Sequence, residues 1–503
     1  MTTTQLPTLE HRVGGAPTAG VSARTAPIFD PATGAETARV RLAEPADVDA
    51  AVAVAQAAFT RWSQTSVARR ASIMFAFRAL VEQHVDELAE IVVAEHGKVL
   101  DDARGEVRRG LDVVDFACGI AQLSKGEYSD QVSTGIDSFS FRQPLGVCAG
   151  ITPFNFPVMV PMWMHPLAIA TGNTFVLKPS ERDPSASDRI AELYAEAGLP
   201  DGVFNVVHGD AATAEALLDH PGVAAVSFVG STPIARAVHA RASANGKRVQ
   251  ALGGAKNHAV VLPDADVDFA ARQLIGAAYG SAGQRCMAVS VAVAVGDCAD
   301  ALVSSLRRKA SEIVVGPGRE PASEMGPVIT AQARERIAGY VERGAETGAE
   351  VVLDGRELAR EGDGFFIGPT LLDRVDASME VYRDEVFGPL LAVVRVPDLA
   401  TAIELVNANP YANGTALFTG SGGAAREFQR RVTVGMIGVN VPIPVPMAFH
   451  SFGGWKASLF GESHIHGPEG VRFYTRAKVV SARWPAGSDA LGAGTAMHFP
   501  SAD

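Results

Sequence analysis

The feature that most constrains this 503-residue chain is a succession of short apolar runs, each closed by a Gly, Pro or Ser and separated by segments of helical spacing. "NTFVLKP" (173–179), "VFNVVHG" (203–209), "AVSFVGS" (225–231) and "HAVVLPD" (258–264) alternate with helical patterns over Ala186 to Gly198, Thr213 to Asp219 and Pro233 to Ser243. Strands that are apolar on both faces must be covered on both, and helices placed between consecutive strands do this. The pattern therefore predicts a doubly wound, parallel α/β unit. A second series runs from Ala265 to about Gly438, with "VAVAVGD" (291–297), a helix over Ala331 to Gly348, "EVVLDGR" (350–356), "LLAVVRV" (390–396), a helix over Leu399 to Ala408 and "TALFTGS" (415–421). It predicts a second α/β unit with its own core. No internal repeat or low-complexity linker separates the two, so the boundary is inferred near Gly253 to Asp264.

Upstream, Pro45 to Ala58, Val67 to Val92 and Leu100 to Gln122 read as helices, with the turn "EHGKVL" between the last two. "DSFSFRQPLGVCAGI" then alternates like an antiparallel hairpin before an all-apolar strand. The tail "RFYTRAKVVSARW" (472–484) is strand-like without a neighbour to pair with, so its partner is another segment or another subunit.

Composition narrows the function. A 47% apolar content fills the cores of about two or three domains, and a net charge of -12 without any Lys/Arg block argues against a nucleic-acid partner. Four cysteines without a CxxC pair suit a reducing compartment and no disulfide scaffold. "FPVMVPMWMHPLAIA" (156–170), broken by prolines and holding His165, falls short of the roughly 20 unbroken apolar residues of a membrane span and reads as buried protein. The first residues show neither the basic start nor the apolar core of a secretory signal, so a cytoplasmic chain with no membrane partner is expected. His464 and His466 lack an acidic or Cys partner at ligand spacing, so no metal is expected.

Four short stretches carry possible chemistry, each with a plainer alternative. Cys286 in "SAGQRCMA" stands beside Arg285, whose charge would favour a thiolate, but a buried structural cysteine is the commoner fate of such a residue. Asn155 in "TPFNFP" offers an amide to an oxyanion or to a turn. Lys178 and Glu181, at a strand's carboxyl end, can bind ribose hydroxyls or form a solvated turn. Gly230 and Ser231 open a helix in "FVGSTPIA", which can face a phosphate or simply cap; it is neither a GxGxxG fingerprint nor a P-loop.

Taken in order, "PFNFP", "GNTFVLKPSE", "FVGST", "GQRC", "EVFGPL" and "FGGWK" resemble the aldehyde dehydrogenase superfamily, over roughly Pro27 to Trp484. The resemblance implies an aldehyde dehydrogenase-like α/β fold: two doubly wound domains, NAD-binding (1–127 and 145–253) and catalytic (254–455). To these it adds a small β-hairpin oligomerisation domain (128–144 and 466–485), a flexible tail (486–503) and a homodimer or homotetramer. It implies Cys286 as the nucleophile, with Asn155 and the Cys286 N–H holding the oxyanion. Lys178 and Glu181 would hold the adenosine ribose, Ser231 the pyrophosphate, and Glu385 and Phe387 the nicotinamide side, with Thr152, Phe154, Arg182 and Gly253 completing the cofactor contacts. NAD is expected over NADP, because the Glu181 carboxylate repels a 2'-phosphate. Arg109, Arg285 and Phe452 would face the substrate.

The chain departs from hydrolytic members at one decisive place. Where they carry the glutamate that activates water, "QALGGAKNH" has Leu252. Ala235 replaces a glycine in the phosphate turn, and Gly253 replaces a residue with a side chain. "GAKNH", "GQRCMA" and "VPIPVPMAF" are similar to the CoA-acylating methylmalonate-semialdehyde dehydrogenase branch, which lacks that glutamate. This implies a small acidic aldehyde, methylmalonate or malonate semialdehyde, as substrate, coenzyme A as co-substrate and a place in valine or inositol catabolism. Two alternatives stay open: a non-acylating NAD-dependent dehydrogenase of another acidic aldehyde, and a non-redox cysteine esterase or inactive structural subunit.

Overall fold

The computed structural model describes residues 6–133, 135–358 and 362–484. The two α/β units are both present, each around its own sheet. The first sheet has a parallel centre that runs, edge to edge, Phe204–Val206, Thr174–Lys178, Val147–Ile151, Val223–Val229 and Arg248–Leu252. The chain starts in the middle, at Val147–Ile151, winds outward one way, then returns and winds the other way. Such a reversal leaves a crevice at the carboxyl ends of the central pair, where ligands of this fold class bind. Short antiparallel strands extend both edges: His11–Val13 and Ala16–Thr18 on one side, Leu459–Phe460 on the other.

The second sheet runs Glu350–Leu353, Thr370–Asp373, Leu390–Val396, Val289–Val295, Asn257–Val261, Gly414–Phe418 and Met436–Val439, parallel except at the first edge. The chain changes sheets over Gly253 to Lys256, inside the inferred boundary. That crossing is anchored by Lys256, whose buried ammonium donates to the carbonyls of Val381 and Asp384, both at 2.7 Å. The proline-broken apolar stretch forms the helix Met159–Ala170, buried at every residue and packed on the helix Leu100–Cys118. Among the described residues no helix is long and apolar enough to cross a membrane.

Two expectations need correction. The periodic segment from Val67 is two helices, Val67–Gln83 and Val85–His96, because His84 leaves helical geometry and Asp86 and Glu87 begin a new acidic first turn. The Leu100 helix stops at Cys118, and Gly119 separates it from the short turn Ile120–Leu123. Near the start of the chain, Thr25–Asp30 and Ala35–Arg41 pair in a small sheet of their own with Thr8–Leu9.

The tail's partner is the hairpin. Thr475–Arg483 pairs antiparallel with Ile136–Pro144 along its whole length, from Thr475 opposite Pro144 to Arg483 opposite Ile136. With Tyr128–Ser133 these make a separate three-stranded sheet, of which Thr475–Arg483 is an edge strand that presents Val479 to solvent. The expected flexible tail, 486–503, lies outside the described residues.

Candidate active site

The segment that carries Cys286 is held in an uncommon conformation. The helix Val267–Tyr279 ends, and Ser281, Ala282 and Gly283 follow with φ of +54°, +50° and +70°. Left-handed backbone costs a side-chain-bearing residue energy, so the surroundings must enforce it. At Gly283 only hydrogen fits, since a Cβ would stand 2.1 Å from the Gly388 carbonyl oxygen. Beyond the turn, the Cys286 carbonyl accepts from the amides of Asn257 (3.0 Å) and Asn413 (3.1 Å), and the Gln284 amide oxygen accepts from the Ile329 N–H (3.1 Å). Sequence reasoning missed these three. Asn257 lies within the quoted "GAKNH", whereas Asn413 sits in an ordinary-looking turn.

Cys286 is partly exposed and stands where two cavities meet. One, of about 330 Å³, is lined by Phe154, Ser231, Gly253, Glu385 and Phe387, all from the expected cofactor set, and by Asn155, the expected oxyanion donor. The other, of about 360 Å³, is walled by Phe156, Met159, Trp163 and Ile443, with Arg109 and Arg285 at its margin. Burial, and then the neighbouring Glu385, push the thiol up to about 12, outweighing Arg285. The Arg285 guanidinium donates to the Asp102 carboxylate.

Asn155 follows the strand Val147–Ile151, almost wholly buried. Its main-chain carbonyl accepts from Lys98, but among the described residues its side-chain amide has no hydrogen-bond partner. A donor without a protein partner, on the lining of a cavity that contains a thiol, is what an oxyanion needs.

The cofactor-side residues come from the carboxyl ends of neighbouring strands. The Thr152 N–H donates to the Lys178 carbonyl at 3.1 Å, and its hydroxyl has no partner. Lys178 pairs with Glu181 at 3.1 Å; the lysine is buried and the carboxylate part-exposed at the crevice rim. Phe154 packs against His96 (6.0 Å) and Phe387 (5.9 Å), with the Arg182 guanidinium 5.4 Å over its ring.

Ser231 occupies the N-cap of the helix Thr232–Ala244 but makes no side-chain cap bond, and its hydroxyl has no hydrogen-bond partner among the described residues. Thr232 is spent elsewhere, its hydroxyl accepting from the Gly254 N–H at 2.8 Å. Ala235 leaves the helix start intact, its N–H bonding the Ser231 carbonyl at 2.8 Å.

Gly253 has a physical reason to lack a side chain, since a Cβ would lie 2.6 Å from the Ala457 carbonyl oxygen. Glu385 is half-buried, accepts from the Ala255 N–H at 2.9 Å and is pushed up to about 7 by desolvation. A free hydroxyl and free N–H groups at a helix N-terminus, an ion-paired carboxylate at a strand end and a glycine floor fit a dinucleotide.

On the substrate side the expected residues have partners that the sequence did not reveal. Arg109 donates to Asp112 (2.8 Å) and to the Pro446 carbonyl (2.9 Å), and thereby ties its helix to the loop that supplies Ile443 and Val445. Phe452 does not line the cavity; it is buried behind Trp163, ring centroids 4.8 Å apart, with His466 against the same indole. Leu252 ends its strand between Val229 and Leu459 and packs in the apolar cluster that includes Met287. No carboxylate enters the site from that position.

Comparison with known proteins agrees with this geometry. The aldehyde dehydrogenase family model matches residues 18–480. The malonate-semialdehyde dehydrogenase of Pseudomonas aeruginosa is 53% identical over 481 residues, covering 95% of this chain and 97% of that protein. Malonate-semialdehyde dehydrogenase 1 of Geobacillus thermodenitrificans is 51% identical, covering 96% of this chain and 100% of its own length. Among solved structures, the methylmalonate-semialdehyde dehydrogenase of Oceanimonas doudoroffii superposes with a TM-score of 0.94 at 52% identity, covering 96% and 99% of the two chains. A Sinorhizobium meliloti 1021 protein crystallised in complex with NAD superposes with a TM-score of 0.95 at 50% identity, covering 97% and 100%. By sequence and by fold over nearly its whole length, this chain belongs to the aldehyde dehydrogenase family.

Proposed function

We propose that this protein is an NAD-linked, CoA-acylating dehydrogenase of malonate or methylmalonate semialdehyde, with acetyl-CoA or propionyl-CoA as product. The observation that carries the reading is the surroundings of Cys286: two arginines stand at the substrate cavity, and Leu252 offers water no base. The names of the relatives support the substrate class, and the NAD-bound neighbour supports the cofactor. CoA rests on the chemistry alone. A thiolate attacks a thioester without the general base that hydrolysis requires.

The steps follow from the residues in place. The Cys286 Sγ attacks the aldehyde carbon, its thiol proton passing to solvent, and the new oxyanion accepts from the Asn155 amide and the Cys286 N–H. Collapse of the thiohemiacetal expels hydride, for which bound NAD supplies the acceptor. Lys178 and Glu181 would hold the adenosine ribose of the dinucleotide, Ser231 its pyrophosphate, and Glu385 and Phe387 its nicotinamide side, with Thr152, Phe154, Arg182 and Gly253 completing the crevice. Arg109 and Arg285 bind the substrate carboxylate, exchanging their Asp112 and Asp102 partners for it. The acyl-enzyme then loses carbon dioxide, its carbanion delocalised into the thioester and protonated, and the CoA thiolate displaces Cys286. The balance is semialdehyde, NAD and CoA in; acyl-CoA, carbon dioxide and NADH out.

The test is mass spectrometry of the products from each semialdehyde with NAD and CoA. Acetyl-CoA from malonate semialdehyde and propionyl-CoA from methylmalonate semialdehyde are expected, and free acids would overturn the acylating assignment. A second reading, hydrolysis with Glu385 as base, draws on that carboxyl's value near 7 and its place beside Cys286. The same experiment separates the two. The open edge of Thr475–Arg483 supports assembly into a homodimer or homotetramer, and the free thiols support a cytoplasmic setting.

A further inference from the structure

The turn "EHGKVL" carries no residue given a role so far, yet it places a buried lysine, Lys98, against the oxyanion loop. The Lys98 ammonium donates to the Glu106 carboxylate at 2.6 Å and to the main-chain carbonyl of Asn155 at 2.8 Å, and it lies 4.4 Å from the centre of the Phe156 ring. Glu106 is equally buried, and its other oxygen accepts from the N–H groups of Val158 (2.8 Å) and Met159 (3.2 Å), at the start of the helix Met159–Ala170. The pair therefore grips the loop at the Asn155 carbonyl and again at the amides that follow it.

The lysine's own backbone is fixed by the second α/β unit. A Cβ at Gly318 would stand 2.2 Å from the Lys98 carbonyl oxygen, and one at Gly326 would stand 2.0 Å from that of Gly97. The Leu100 N–H also donates to the Gly318 carbonyl at 3.0 Å. One residue thus contacts the oxyanion loop of the first unit through its side chain and the unit that carries Cys286 through its backbone.

We propose that Lys98 and Glu106 are positioning residues that set the Asn155 amide against Cys286 across the two units. A buried ion pair with every remaining acceptor filled is costly to assemble, and hydrophobic residues would pack that space at no less stability. What the pair supplies instead is register. The inference rests on the reading of Asn155 as an oxyanion donor, so its test must separate the two.

Acylation of Cys286 by p-nitrophenyl acetate does so without aldehyde or cofactor. The sulfur–carbon bond forms through a tetrahedral oxyanion, p-nitrophenolate leaves and the thiol proton passes to solvent. Alkylation by iodoacetamide passes through no oxyanion and reports the thiol alone. The double variant Lys98→Met/Glu106→Gln removes both charges together and so leaves no unpaired buried ion, while Lys98→Arg keeps the charge and changes only the head group.

We expect both to slow p-nitrophenolate release about 10- to 100-fold, the order lost when a reacting geometry slips by about 1 Å. Iodoacetamide alkylation should stay within threefold. In an Asn155→Ala background the same changes should cost less than threefold more, because the donor they position is gone. If Asn155→Ala alone does not slow acylation, the oxyanion reading fails. If it does, but the Lys98 and Glu106 variants acylate at the parent rate, or their losses multiply fully with that of Asn155→Ala, the positioning role is overturned.

Discussion

On its cofactor side Cys286 faces the ends of consecutive strands; on its substrate side it faces a helix and a loop far apart in the chain. Thr152 to Asn155, Lys178 to Glu181, Gly230 to Ser231 and Gly253 each lie within a few residues of a strand of one parallel sheet. The sheet alone brings them together. The substrate cavity is assembled from Leu100–Cys118, Met159–Ala170 and the loop that holds Ile443 and Val445. Its charges already have protein partners, Asp102 for Arg285 and Asp112 for Arg109, so a substrate must compete for them. The cofactor side is pre-formed and open, whereas the substrate side is pre-formed and engaged.

Variants of the shared nucleophile should move most. Cys286→Ala should lower NADH formation on the order of 10⁴-fold or more while NAD still binds, as fluorescence titration would show. Retained turnover would remove Cys286 from both cavities. Next in size is the thiol's own pH dependence. With its value near 12, alkylation by iodoacetamide in the absence of NAD should rise about tenfold per pH unit from pH 7 to 10 without a plateau, since each step multiplies the thiolate fraction. A plateau below pH 9 would show that Arg285 outweighs burial and Glu385.

Asn155→Ala should slow the single-turnover NADH burst by about 10²- to 10³-fold with little change in NAD affinity. An altered affinity instead would assign Asn155 to the cofactor side. Arg109→Met and Arg285→Met should each raise KM for malonate semialdehyde roughly 10- to 100-fold, from about 1.5–3 kcal/mol per charged hydrogen bond, and leave propanal nearly unaffected. Equal losses for both aldehydes would mean that the arginines only brace Asp102 and Asp112. The smallest effect belongs to the rim. Glu181→Ala should weaken NAD about tenfold and improve the NADP-to-NAD ratio, measured as kcat/KM for each cofactor.

The same contrast explains what could be read from the sequence. The apolar strand runs revealed both sheets, the crossing between them and the strand ends on which Lys178, Ser231 and Gly253 sit, because burial and chain reversal are local demands. The partners of Arg109, Arg285 and Thr475–Arg483 were hidden, because pairing at long range leaves no periodic trace. Phe452 shows the limit most plainly. Its motif placed it near the substrate, but the indole of Trp163, from another element, stands in front of it. Lys98 and Glu106, a plain lysine after a turn and a plain helical glutamate, became legible only once the Asn155 loop was seen between them.

The central claim, that a thiol and not water releases the acyl group, is tested most directly by rapid-mixing measurement of NADH formation from malonate semialdehyde with and without CoA. The account predicts about one NADH per active site and then a stall without CoA, and sustained turnover with acetyl-CoA as product once it is added. Sustained turnover without CoA, yielding a free acid, would contradict it.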